Sequence, residues 1–360
     1  MAQHRFIVCS YTKSLSSGTV SWQSPSNIAL VKYWGKYGEQ LPMNASVSFT
    51  LRNCKTTTKL SFEKSSTKEF NFEVYLGGKR EVSFEPKILK FFERVEVYLP
   101  FLKDFKFKIE TSNSFPHSSG IASSASGMSA LALCLMDMER QMLPEIPDDY
   151  FIEKASFLAR LGSGSASRSL EGTLIVWGEH TEIEGSSNLF GTKYPFQVHQ
   201  CFQNYQDTIL LVDKGEKLVS STLGHDLMLD HAFAEQRFRQ AKENLSKLIP
   251  IFKNGTISEF IKIVESEALS LHAMMMTSVP YFILMKPNTL EIINHIWKFR
   301  EETGSNLCFT LDAGANVHVL YPETEKDTVL NFIKKELSQF CKNGEFIEDE
   351  VGMGAEKILD

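Results

Sequence analysis

A chain of 360 residues, 42% hydrophobic, with a formal charge of −6, has room for one large domain or two ordinary ones. No apolar run approaches the roughly 20 residues of a membrane span, and no Lys/Arg cluster is dense enough for a nucleic-acid face. The opening MAQHRFIVCS lacks an export signal's charged, apolar and small-residue regions. The six cysteines (Cys9, Cys54, Cys134, Cys201, Cys308, Cys341) are scattered, with no CxxC pair and no clustered histidine. They read as reduced thiols rather than disulfides or a zinc site, and a cytoplasmic protein is expected.

In chain order, SPSNIALVKYWGKYG (24–38) is a strand-like apolar run that carries Asn27, Lys32, Tyr33 and Lys36 and turns at Gly35. Two lysines and a tyrosine at a glycine turn suit a phosphate or carboxylate; solvated lysines flanking a hairpin are the alternative. SVSFTL (46–51), TTTKLSF (56–62), NFEVYL (71–76) and FKFKIET (105–111) alternate with the period of strands, and Gly77-Gly78 marks a hairpin turn. PKILKFFERVEVYL (86–99) places Ile88, Phe91, Phe92 and Val95 on one helical face.

The stretch FPHSSGIASSASGMSALALCLM (115–136) is richer in small residues than an ordinary helix start requires. Met128, Leu131, Ala132 and Leu135 predict a helix from about residue 123. Its first turn leaves backbone N–H groups free at the positive end of the helix dipole, where small neighbours let an anion approach. GxxxxGK[ST] is absent, and a capped core helix with Gly127 at a close helix contact is the alternative. A second helix (about 148–162) leads into GSGSASRS (162–169), whose Arg168 could grip a carboxylate or phosphate through two parallel hydrogen bonds. A flexible tether fits poorly, because the loop is boxed between that helix and the strand TLIVWGE (173–179).

Three long amphipathic helices follow, at 230–249, 256–276 and 286–304. LCFTLDAGANVHVLY (307–321) then reads as strand, turn, strand, with Asp312 placed either to cap the turn or to serve a site. A last helix (about 325–340) and a terminal strand close the chain. The change of character near residue 205 predicts two α+β lobes, 1–204 and 205–360, with a cleft between them. His117 is either exposed or a flank of the small-residue loop, and Met274–Met276 read as helix-end packing more readily than as a ligand wall.

NIALVKYWGK, GIASSASG, GSGSASRS and LDAGAN together resemble the GHMP kinase superfamily and, within it, the mevalonate diphosphate decarboxylase family; the likeness spans nearly the whole chain. GIASSASG alone marks the superfamily, whereas KYWGK with SGSxxRS is specific. The resemblance implies a two-lobed GHMP fold, with a ribosomal-protein-like N-terminal lobe, a ferredoxin-like C-terminal lobe and the active site between them. It also implies ATP-dependent decarboxylation of mevalonate 5-diphosphate to isopentenyl diphosphate through transient 3-O-phosphorylation, with ATP and Mg²⁺. Kinase members carry an aspartate shortly after their second motif; GSGSASRSLEG has none, so the carboxylate falls to Asp312.

By the same resemblance Asp312, Lys32, Arg168 and Asn27 are catalytic, with Arg168 holding the substrate carboxylate. Tyr33, Trp34, Gly35, Lys36, Ser163, Gly164, Ser165 and Thr222 bind substrate. Asn113, Ser118, Ser119, Gly120, Ala122, Ser123, Ser124 and Ser126 hold ATP, with Ser124 as a Mg²⁺ ligand. The partners implied are a small-molecule substrate and a second copy in a homodimer, with no nucleic acid and no membrane. Ala315 and Ser167 depart from the family's usual Pro and Cys, and Glu73 stands where an arginine usually grips the diphosphate. Lys79 or Arg80 could replace that arginine, or the substrate could carry one phosphate fewer. A decarboxylase of mevalonate 5-phosphate, a mevalonate 3-kinase, and a non-catalytic ATP- or RNA-binding protein are the alternatives.

Overall fold

The computed structural model describes residues 2–116, 121–213 and 221–359, with the backbone alone at Ala2, Ser221 and Thr222. The chain opens with β1 (Ser17–Val31), a two-residue hairpin β2 (Lys36–Tyr37) and β3 (Leu41–Pro42), and the long β4 (Ser46–Lys64). β5 (Asn71–Leu76), β6 (Lys79–Arg80), α1 (Glu85–Val95) and β7 (Phe105–Asn113) follow. The helices α2 (Ser123–Met142) and α3 (Asp148–Gly162) precede β8 (Leu174–Trp177) and β9 (Thr192–Lys193). One sheet takes all the strands so far except the small hairpin, in the order β1-β4-β7-β5-β6, with β8 pairing the first half of β4 and β9 pairing β8. Only β5 and β7 run parallel among its described pairs.

The second half begins with β10 (Gln206–Leu210) and the short α4 (Ser221–Asp226), then α5 (Ala234–Asn254), α6 (Ile257–Met276) and α7 (Pro287–Thr303). β11 (Cys308–Thr310), β12 (Val317–Tyr321), α8 (Lys326–Phe332) and β13 (Phe346–Glu350) follow, and β14 (Glu356–Lys357) returns to the edge of the first sheet. The second sheet is antiparallel, in the order β11-β12-β10-β13. The helix expected over 325–340 is α-helical only to Phe332 and continues as a π turn (Ile333–Leu337) and a 3₁₀ turn (Ser338–Phe340).

The apolar periodicities sort these elements onto cores. Ile88, Phe91, Phe92 and Val95 of α1 join Leu60, Phe107 and the buried face of α2 in one cluster. A second cluster joins the ends of β1 and β4 (Ile28, Leu30, Val47, Phe49) to Leu245 and Phe252 of α5 and Phe260 and Val264 of α6. That is why β1 changes from alternating burial to a fully buried run from Ser24 to Val31: there the strand is covered on both faces. Met274 and Met275 are buried beside Trp34, the packing role read from sequence, while Met276 is exposed.

The sequence reading split β4 into two strands. The structure joins them through an irregular step in which Pro25 pairs with Lys55 but Asn27 pairs with Thr50. The displaced backbone is satisfied by one side chain of β13. Buried Asp349 accepts the N–H groups of Arg52 (2.9 Å) and Asn53 (2.8 Å) on Oδ1 and that of Cys54 (2.7 Å) on Oδ2. Removing such an acceptor strands several buried donors. Asp349→Ala is therefore expected to lower stability in urea melts by about 2–4 kcal/mol, and Asp349→Asn, which keeps one carbonyl oxygen, by about half as much. Unchanged melts would show that the step holds without its carboxylate.

Candidate active site

A cavity of about 830 Å³ opens where the C-terminal end of β1, the start of α2, the loop after α3 and the turn after β11 meet. Lys32 and Tyr33 leave β1 into it, and the 3₁₀ turn Gly164–Arg168 closes its floor. The Lys32 ammonium, 1% exposed as a residue, donates to Asp312 Oδ1 at 3.0 Å. Burial pulls its pKa down and Asp312, then Glu267, pull it back, leaving it below the ordinary lysine value. The Asp312 side chain keeps 27% of its surface exposed on the cleft wall. Its carbonyl, not its side chain alone, shapes the turn, accepting the Gly314 N–H at 2.7 Å and His272 Nε2–H at 3.1 Å.

Arg168 lies deeper. Its Nε donates to Asn27 Oδ1 (3.3 Å) and one terminal nitrogen to Ser46 Oγ (2.6 Å). Burial lowers its pKa to about 10, so the guanidinium is charged at neutral pH. Asn27 in turn donates to Ser165 O (3.2 Å) and Ser169 Oγ (2.8 Å). Asn27 is buried and is not on the cleft wall, so it is placed to orient Arg168 rather than to touch a substrate, a correction to its expected catalytic place.

Tyr33, Trp34, Lys36, Ser163, Gly164 and Ser165 all reach the cleft. Gly164 has to be glycine, because a Cβ there would stand 2.9 Å from the Tyr33 hydroxyl and 2.8 Å from the Trp177 ring. Gly35 is behind the wall at φ +100°, a backbone conformation that turns the chain between Trp34 and Lys36. Burial raises the Tyr33 pKa far above neutrality, keeping its hydroxyl protonated. Of the residues expected to hold ATP, Asn113, Ala122, Ser123 and Ser124 line the cleft, and Ser124 Oγ lies 3.4 Å from Ser163 Oγ, bringing the α2 start against the Arg168 loop. The alternative for Gly127, a close helix contact, does not hold: a Cβ there would meet nothing within 4 Å, and the residue faces the cleft. Ser126 is corrected: it is fully buried, with its hydroxyl 2.6 Å from Thr56 Oγ1, and does not face the cleft. His117, Ser118, Ser119, Gly120 and the Thr222 side chain lie outside the described residues.

Lys79 and Arg80 are not on the cleft wall: Arg80 pairs with Glu73 (3.0 Å) and Glu85 (2.9 Å) on the outer surface. The cations that the structure adds are Lys87, Lys90 and Arg94 of α1, which do line the cleft; Arg94 also donates to Leu161 O at 2.7 Å. Also missed was Glu267, fully buried on α6, which accepts the Lys32 N–H (2.8 Å), Asn244 Nδ2 (2.7 Å) and both terminal nitrogens of Arg237. Nothing in the sequence set it apart from Glu265, two residues earlier in the same amphipathic helix.

Among the described residues no three His, Cys, Asp or Glu side chains gather as a metal cage, and no helix is long and apolar enough to cross a membrane. The cleft lining includes one hydroxyl, Ser124, and one carboxylate, Asp312, oxygen donors of the kind that suit Mg²⁺, which keeps much of its water and takes few protein oxygens when phosphates supply the rest.

Residues 24–188 match the diphosphomevalonate decarboxylase-like N-terminal domain, and residues 208–357 the mevalonate 5-diphosphate decarboxylase C-terminal domain. A diphosphomevalonate decarboxylase of Candida albicans is 30% identical over 340 residues, covering 88% of each chain. The chain belongs to the diphosphomevalonate decarboxylase family. The human diphosphomevalonate decarboxylase is 27% identical, covering 87% of this chain and 78% of its own. Among solved structures, MDDEF in complex with MVAPP, AMPPCP and magnesium superposes with a TM-score of 0.81 at 27% identity, covering 95% of this chain and 99% of that one. A mevalonate diphosphate decarboxylase from Legionella pneumophila gives 0.77 at 30% identity, covering 92% and 100%. The architecture is thus the α+β GHMP kinase-type fold of this family.

Burial pushes His272 down to about 4 from an ordinary 6.5. Its stabilising effect is complete above about pH 6.5 and is lost as pH falls towards 4, because the unfolded chain takes up a proton that the folded chain refuses. His272→Gln keeps a donor for the Asp312 carbonyl without that proton. Between pH 7 and pH 5 its melting temperature is expected to fall less than the wild type's by about 2–4 °C. Parallel falls would assign the acid sensitivity to other groups.

Proposed function

We propose that the chain catalyses the ATP-dependent decarboxylation of mevalonate 5-diphosphate, giving isopentenyl diphosphate, ADP, phosphate and CO₂. The observation that carries this reading is the Lys32–Asp312 pair, 3.0 Å apart, in a cleft shared with Arg168 and the start of α2. A tertiary hydroxyl leaves poorly as hydroxide, so it is first converted to a phosphate ester. Asp312 orients the 3-hydroxyl and accepts its proton as the γ-phosphoryl group arrives. Lys32 holds Asp312 ionised and neutralises charge on the transferred group. The backbone at Ala122–Ser124 and the α2 dipole hold the nucleotide phosphates. Ser124 would hold Mg²⁺ together with the nucleotide phosphates, and the ion would supply positive charge to offset that developing there.

Departure of phosphate builds positive charge at C3, which the Asp312 carboxylate stabilises. Arg168, fixed by Asn27 and Ser46, holds the substrate carboxylate so that the breaking C–C bond lies where the double bond forms. The electrons of that bond become the double bond as CO₂ leaves. Tyr33, Lys36, Ser163 and Ser165 bind the phosphate-bearing end. Residues 1–204 and 205–360 as lobes, a cytoplasmic location and a homodimer belong to the same reading.

One observation favours a second substrate. Glu73 is turned to Arg80 on the outer surface, and neither reaches the cleft, so the phosphate end lacks a cation from β5 or β6. Incubation with ATP, Mg²⁺ and either mevalonate 5-diphosphate or mevalonate 5-phosphate separates the readings. Equimolar ADP and CO₂ from the diphosphate are expected, and Asp312→Asn should lower both by about 10²–10⁴-fold at a temperature where its circular dichroism shows the variant still folded, although its melt falls because Lys32 loses its counter-charge. ADP without CO₂ would identify a 3-kinase, and preference for the monophosphate would replace the diphosphate as substrate.

A further inference from the structure

Outside the roles assigned above, one side chain of the cleft wall has chemistry that nothing yet uses. His225 ends the short α4 and lies against the turn after β1, its ring centroid 4.2 Å from Tyr33 and 4.6 Å from Trp34. Its Nδ1 accepts the Gly35 N–H at 3.0 Å, so the neutral ring carries its proton on Nε2. The ring is half-buried and lines the cleft, and no described residue takes the Nε2–H. The adjacent Asp226 pairs with Lys36 at 3.5 Å, so α4 holds this turn at two successive residues.

We propose that His225 is a substrate-binding residue of this site, donating Nε2–H to a phosphate oxygen of the bound substrate while Nδ1 fixes the turn that presents Tyr33 and Lys36. The inference rests on the phosphorylated substrate assigned above. Three features select an anion as the acceptor. Burial first, then the charges of Lys36 and Arg168 nearby, lower its pKa to about 3 and keep it a neutral donor at working pH, beside two cations that favour an anionic ligand. Its acceptor nitrogen is already occupied. The two aromatic faces restrict the ring plane, so the donor direction is set before the ligand arrives. A neutral donor beside Lys36 also adds a bond without adding charge repulsion to Lys36 and Arg168.

The two nitrogens can be tested separately. In His225→Gln the side-chain amide nitrogen reaches the place of Nε2, in His225→Asn the amide oxygen takes the place of Nδ1, and His225→Phe keeps only the ring. With saturating ATP and Mg²⁺, the proposal expects the glutamine variant to keep KM for mevalonate 5-diphosphate within about threefold. The asparagine and phenylalanine variants should raise it about ten- to a hundredfold with kcat nearly unchanged, the signature of a lost binding hydrogen bond to a charged group. Calorimetric binding of inorganic diphosphate should follow the same order without any turnover. Diphosphate binding that follows this order across the variants, with neither ADP nor CO₂ released by the wild type, would sink the assigned reaction and leave His225 standing. Asparagine at wild-type KM with glutamine impaired would reduce His225 to a support for Gly35, and wild-type KM and diphosphate affinity in all three variants would overturn the proposal.

Discussion

The site depends on holding a lysine ammonium inside the protein, where its charge is expensive unless a carboxylate and fixed dipoles surround it. Lys32 is held twice, by backbone and by side chain. Its N–H goes to Glu267 of α6 and its ammonium to Asp312 after β11, so one residue at the end of β1 is tied to two elements more than two hundred residues away. Its carbonyl accepts Asn44 Nδ2 at 3.0 Å, which joins the hairpin side as well. Lys32, Asn44 and Glu267 are buried, so loosening one of their bonds leaves polar atoms without partners, whereas Asp312 is open to the cleft on one side. The pair is one tie between the second half of the chain and the first, set beside the packing of α5 and α6 on β1 and β4, and it places a cation and a carboxylate together at the cleft.

Around that pair, the polar network has a hierarchy. Arg168 is oriented by Asn27 and Ser46, Asn27 by the Ser165 carbonyl and the Ser169 hydroxyl of the Arg168 loop, and Ser24 Oγ donates to Ser169 O at 2.6 Å. The loop 162–169 is rich in small residues for two reasons. Gly164 gives Tyr33 and Trp177 room, and the serines provide short hydroxyls where longer side chains would fill the cleft. A guanidinium fixed this way keeps its direction before a ligand arrives, which is the condition for stabilising charge that appears only during reaction.

The parts legible in the sequence are those set by local periodicity or local backbone need. The faces of α1 and α2, the strand-turn-strand around Asp312 and the boxed loop of Arg168 all read directly, since each signal lies within about a dozen neighbouring residues. What did not read is non-local. The single strand β4 depends on Asp349 of β13, 295 to 297 residues away, to accept the N–H groups of its irregular step. Glu267 looked like one acidic residue in an amphipathic helix, and only the approach of Lys32, Arg237 and Asn244 makes it an anchor. Asn27 and Ser126 stood within motifs, yet motif membership does not say whether a side chain faces the cleft or the core. The α1 cations Lys87, Lys90 and Arg94 were hidden by the strength of the apolar stripe beside them.

Glu267 and Asp312 flank the same lysine, and their surroundings give them different chemistry. Glu267 is fully buried and accepts from Arg237 through both terminal nitrogens, from Asn244 and from the Lys32 backbone, so both its oxygens are committed within the protein. Asp312 keeps more than a quarter of its side-chain surface towards the cleft, and its position is secured through its backbone carbonyl by His272 and Gly314. Its carboxylate can therefore exchange partners without the turn moving. Placement by the main chain, with the side chain left open to the cleft, is what a general base requires. The two carboxylates are distinguished by how their oxygens are committed, not by their distance from the lysine.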